Sequence, residues 1–127
     1  MGEIMLLKLG RHFRLSPGLK LVIGRNESEN QALEQIQPEA PRLEAVDFPG
    51  PLAILTGREK PSRESLNTAA AITARYGKGR DQETLAIKLT EGEVETLLEV
   101  APIGEDSDLH QWRISESFDS GQLINPG

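Results

Sequence analysis

At 127 residues, with 37% hydrophobic and 27% charged side chains, the chain has the dimensions of one ordinary soluble domain built around a single core. No apolar run approaches the roughly 18 residues needed to cross a bilayer, and the absence of cysteine excludes disulfides, iron–sulfur clusters, thiolate zinc sites and thiol nucleophiles. The net charge of −6 is unevenly spread: residues 1–25 hold five basic side chains against one acid and residues 58–80 six against two, while residues 26–57 and 81–127 are strongly acidic.

The opening stretch MGEIMLLKLG is too short and too poorly flanked for a signal peptide, because its apolar run ends at Lys8, so a cytoplasmic protein is expected. Phe13 and Leu15 alternate with His12 and Arg14, and Leu19, Leu21 and Ile23 alternate with Lys20 and Val22. These are two strands of a hairpin, with Ser16-Pro17-Gly18 as a turn in which glycine supplies a positive φ. Asn26 reads as a helix N-cap, with Glu29 placed as in a capping box, and the helix runs to about Ile36. Pro38 and Pro41 end it.

Leu43 to Val46 begins a third strand, Phe48-Pro49-Gly50-Pro51 makes a corner, and Leu52 to Thr56 is a buried strand. Ser62 caps a second helix that runs to about Tyr76, closed by Gly77 as a left-handed C-terminal residue. Its alanines at 69, 70, 71 and 74 permit close approach to a sheet, while Arg63, Asn67, Arg75 and Lys78 share its outer face. Leu85 to Leu89, Val94 to Ala101 and Leu109 to Ile114 complete the strands, with Glu91-Gly92 as a turn and a frayed tail over 118–127. The expected architecture is a single α+β domain over 1–127, a largely antiparallel or mixed sheet with both helices on one face.

Motifs for chemistry are missing. There is no phosphate-binding G-x-x-x-x-G-K-[ST] loop, no G-x-G-x-x-G fingerprint, no G-x-S-x-G elbow and no H-E-x-x-H helix. His12 and His110 are too few and too distant for a metal site, and Glu105, Asp106 and Asp108 lack the glycine and terminal glutamate of a calcium loop. The expectation is a chain with no catalytic residue, cofactor or metal.

The string FRLSPGLKLVIGRNESENQAL, residues 13–33, resembles the signature of the NFACT-R family, in which a strand pair leads through a [IV]-G-R-[ND] turn into a helix bearing an asparagine. Here that motif is Ile23-Gly24-Arg25-Asn26, followed by Asn30 and Leu33. LEAVDFPGPLAIL resembles the next strand pair of the family and SLNTAAAITARYGKGR its alanine-rich helix, so that the likeness covers about residues 10–90 in order. The opening LLKLGRHFRL is similar to a version of the domain found at the C-terminus of PP-loop tRNA thiouridylase-like proteins. The chain departs from the family pattern at Glu44, where a histidine is usual, and at Pro51 and Leu52, where polar residues follow the corner.

The resemblance implies a non-catalytic accessory domain that binds tRNA or another structured RNA, with an ATP-binding PP-loop domain as a further partner. It assigns phosphate contacts to one basic surface of Arg11, Arg14, Lys20, Arg25, Arg63, Arg75 and Lys78, with Asn26 and Asn30 beside it. Arg25 has a second reading, in which its guanidinium pairs with Glu29 or a loop carboxylate and fixes the turn. The competing class for the whole chain is a docking or dimerisation domain that turns its basic face toward an acidic protein surface.

Overall fold

LKLVI and LAIL place apolar side chains at consecutive positions, and in a pleated strand consecutive side chains leave by opposite faces, so both faces of the sheet must be covered there. The computed structural model describes residues 9–104 and the backbone of Arg113–Ile114. In chain order its elements are β1 (Arg11–Ser16), β2 (Leu19–Ile23), α1 (Glu27–Ile36), β3 (Arg42–Ala45), β4 (Ala53–Thr56), α2 (Arg63–Arg75), β5 (Leu85–Glu91), β6 (Val94–Val100) and β7 (Arg113–Ile114). The strands form one sheet in the order β6-β5-β3-β4-β2-β1-β7, with every neighbouring pair antiparallel. The α+β class and the antiparallel sheet are as expected.

The two helices do not share a face. Phe13, Leu21, Ile23, Ala53 and Leu55 pack with Ala69, Ala70, Ile72 and Ala74 of α2 in the larger core. Val22 and Ile54, which point the other way from the same strands, are fully buried with Leu33 of α1 and with Leu52. Val22 looks like the outward member of an alternating strand, but α1 covers it. An ion pair from Arg42 of β3 to Glu34 ties α1 down beyond that small core. Burying two such aliphatic side chains at about 1.5–3 kcal/mol each fastens a helix of ten residues that would not persist alone.

The two N-cap residues are those expected, although Glu29 turns its carboxylate to the Arg25 N–H rather than completing a capping box with Asn26. Asn26 accepts from the Glu29 N–H at 2.9 Å and Ser62 from the Ser65 N–H at 3.0 Å. The glycines differ: among the described residues positive φ occurs at Gly10, Gly57 and Gly92, and neither Gly18 nor Gly77 adopts it. Gly77 instead lies close against the proline corner, where a Cβ would stand 3.3 Å from the Pro49 carbonyl oxygen and 3.4 Å from the Gly50 Cα. Among the described residues no helix is long and apolar enough to cross a membrane. The predicted tail over 118–127, His110, the acidic loop at 105–108 and most of the strand from Leu109 lie outside the described residues.

Candidate nucleic-acid interface

Where β2 runs into α1, the chain is locked to the start of β4. Gly24 donates its N–H to the Leu52 carbonyl at 3.0 Å, and Leu52 donates its own N–H to Asn30 Oδ1 at 3.2 Å. The helix asparagine of the motif is thus a bridge from α1 to β4. Glu29 Oε1 accepts from the Arg25 N–H at 2.9 Å and the Gly10 N–H at 3.1 Å, so its carboxylate closes the turn one residue before the N-cap. The Arg25 guanidinium donates to the Gly10 carbonyl at 3.0 Å and lies 3.5 Å from Glu29. The reading of Arg25 as a turn-holding residue is therefore correct, and the residue also lines the groove beside the turn.

The opposite wall is built by the proline corner and the end of α2. The Lys78 N–H donates to the Pro49 carbonyl at 2.8 Å, and Gly77 sits against Gly50, which fixes the GKGR segment on the corner. Gly79 is buried on Phe48, where a Cβ would come within 2.7 Å of the ring. Tyr76 packs its ring against Phe13 with centroids 6.0 Å apart, and the Arg11 guanidinium lies 4.7 Å over its centroid. Such a cation–π contact contributes about 0.5–1 kcal/mol and holds the guanidinium where β1 enters the groove.

Between the walls lies an open groove of about 560 Å³. Four cations, Arg11, Arg25, Lys78 and Arg80, line it against two carboxylates, Glu27 and Asp81. Lys78 and Arg80 are exposed at its rim. Tyr76 already has the Phe13 ring on one side and Arg11 over its face, so the groove is equipped for anionic groups more than for stacked bases.

Of the residues assigned from sequence, Arg11, Arg25, Asn26, Asn30 and Lys78 meet here. The others do not. Arg14 and Lys20 point from the opposite sheet face at the other end of β1 and β2, beside Arg58. Arg75 donates to the Gly104 carbonyl at 3.0 Å. Arg63 opens α2, about 18 Å from its C-terminal end at 1.5 Å per residue. A strand alternates faces and a helix spans its own length, so closeness in sequence did not put these charges together. Sequence reasoning missed Arg80 and Tyr76, although both stand in the quoted RYGKGR segment. Among the described residues no group of three His, Asp or Glu side chains is placed to hold a metal.

The family model of the NFACT protein RNA binding domain matches residues 10–113. The chain belongs to that family. The match takes in both walls of the groove, and the NFACT RNA binding domain family is one of RNA-binding, non-catalytic modules. No curated protein matches the chain in sequence. Among solved structures, the C-terminal part of the fibronectin/fibrinogen-binding protein from Streptococcus suis superposes with a TM-score of 0.71 at 19% identity, over 84% of this chain and 49% of that one. This NFACT-type domain therefore spans about half of that structure and shares its fold.

Proposed function

We propose that the groove between the Gly24–Asn30 turn and the Tyr76–Arg80 segment is the RNA-binding site, and that it holds the sugar-phosphate backbone of a structured RNA. The observation that carries this reading is the convergence of Arg11, Arg25, Lys78 and Arg80 from three separate segments onto one concave surface. A chain of net charge −6 has no general attraction for polyanions, so affinity has to come from such a local concentration of positive charge. The similarity of residues 6–15 to the domain appended to PP-loop tRNA thiouridylase-like proteins favours tRNA as the RNA, an ATP-binding PP-loop domain as partner and the cytoplasm as the place of action.

The test is a titration of labelled tRNA with the full chain and with the double variant Lys78→Glu/Arg80→Glu at several salt concentrations. Both side chains are exposed, so the variant keeps the fold. Loss of two phosphate contacts lowers the slope of log K against log salt by about 1.4–1.8. An unchanged slope and affinity in the variant would remove the groove from RNA binding.

A further inference from the structure

Among the described residues the sheet ends at β6, whose one neighbour is β5. The two strands are joined by seven register pairs without a bulge, from Glu91↔Val94 to Leu85↔Val100. Ala86 of β5 gives its carbonyl to the Val46 N–H on the β3 side at 3.1 Å, and in an antiparallel ladder the N–H and C=O of one residue leave by the same side. Ile87 and Leu89 therefore turn theirs to β6, where Leu98 and Thr96 stand opposite them. Glu95, Leu97 and Glu99 are left with N–H and C=O groups directed out of the sheet edge.

The side chains of these three residues lie on the sheet face away from α2, by alternation from Leu98 and Val100, which pack into the larger core. Leu97 is 64% exposed there, and Val94 at the head of the strand is 62% exposed. A sheet edge is usually blunted by proline, a bulge, a very short strand or charge. Of these β6 carries only charge, and it is all of one sign: Glu91, Glu93, Glu95 and Glu99 fall within residues 91–99 with no basic residue among them. Lys88 of β5 lies 3.9 Å from Glu95, and the Thr84 hydroxyl donates to Glu99 at 3.1 Å. The ion pair joins exposed groups and contributes little, and the hydroxyl carries no charge, so the edge stays acidic.

We infer that the β6 edge is a docking strand for a basic, extended segment of a partner protein, which joins the sheet by exchanging hydrogen bonds with Leu97. In that antiparallel pairing an apolar residue stands opposite Leu97, and lysine or arginine two positions to either side stands opposite Glu95 and Glu99. The residues between them cover Thr96 and the half-buried Leu98. Backbone pairing supplies affinity, and the alternate side chains supply the choice of partner. A second copy of this chain fits less well. With Leu97 opposite Leu97 about a twofold axis, Glu95 of each copy meets Glu99 of the other, and like charges directly opposite destabilise a pair. No residue of β5 or β6 lines the groove between the Gly24–Asn30 turn and the Tyr76–Arg80 segment, so the inference stands apart from RNA binding.

The experiment titrates the full chain into labelled peptides and follows fluorescence anisotropy. The peptides are GSKVLVKSG, which carries the basic pattern, GSEVLVESG, its acidic counterpart, and GSKVPVKSG, in which proline removes the N–H that pairs with Leu97. The expected result is tightest binding of the first, with the other two weaker by about tenfold. Glu95→Lys/Glu99→Lys reverses two exposed side chains and should bind the acidic peptide better than the basic one. Leu97→Pro takes away an N–H that points out of the edge and no bond to β5, and should bind none of the three. Equal binding of the three peptides by the wild-type chain, or the same preference in the charge-reversed variant, overturns the inference. So does a wild-type chain that binds no peptide, or one that dimerises in sedimentation equilibrium through contacts that Leu97→Pro abolishes.

Discussion

Replacing Gly24 by alanine tests how the interface turn is held. The new methyl would stand 2.0 Å from Asn30 Oδ1 and 3.1 Å from the Asn30 backbone nitrogen. The carboxamide has to swing away, and the Leu52 N–H then loses its acceptor. Leu52 is only 6% exposed, so water cannot replace that acceptor at full value. Orphaning a buried donor costs about 1–3 kcal/mol, and crowding the first turn of α1 adds about 1–3 kcal/mol. The expected loss of roughly 2–6 kcal/mol is a large fraction of the about 5–15 kcal/mol that holds such a domain.

Urea unfolding followed by far-ultraviolet circular dichroism measures it, within a double-mutant cycle with Asn30→Ala. Asn30→Ala alone deletes the acceptor and costs about 1–3 kcal/mol, but it also clears space for the alanine methyl at position 24. The double variant should therefore be little less stable than Asn30→Ala, and the coupling should exceed about 1 kcal/mol. A Gly24→Ala protein within about 0.5 kcal/mol of wild type, or strict additivity in the cycle, would refute the bridging role of Asn30.

Glu29→Ala removes the acceptor shared by the Gly10 and Arg25 N–H groups and should lower stability by about 1–3 kcal/mol in the same assay, whereas Glu29→Gln keeps a carbonyl oxygen and should recover part of the loss. Gly57→Ala meets both a φ of +129° and a backbone oxygen that cannot move aside; a loss on the order of 2–5 kcal/mol in thermal unfolding is expected, and a neutral result would contradict the packing of that loop on the hairpin turn.

Local chemistry was legible from the residues in order. The caps at Asn26 and Ser62 and the strand alternation around Phe13 and Leu21 are each settled within a few positions, because dihedral preferences and short-range hydrogen bonds do not depend on the rest of the fold; the last hairpin turns at Gly92-Glu93, one residue later than expected, since Glu91 still pairs with Val94. The resemblance of the Ile23-Gly24-Arg25-Asn26 segment to its family was legible for the same reason. Two features were visible and misread. Val22 and Ile54 sit within apolar runs, the pattern of strands covered on both faces, which the expectation of both helices on one face does not accommodate. Gly77 stands where a left-handed helix end is usual, but it does not take a positive φ and lies against Gly50 of the proline corner.

What the sequence by itself determined is the class of the fold, the order of its helices and strands, and the family resemblance of the Ile23-Gly24-Arg25-Asn26 turn. What only the tertiary structure decided is the division of the positive charge. Arg11 and Arg14 are three residues apart on β1 and belong to different concavities, while Arg25 and Lys78 are more than fifty residues apart and share one. Strand pleating sends near neighbours to opposite faces, and the packing of Gly77 on Gly50 carries remote ones together, so the charge pattern along the chain and the charge pattern on the surface are set by different distances.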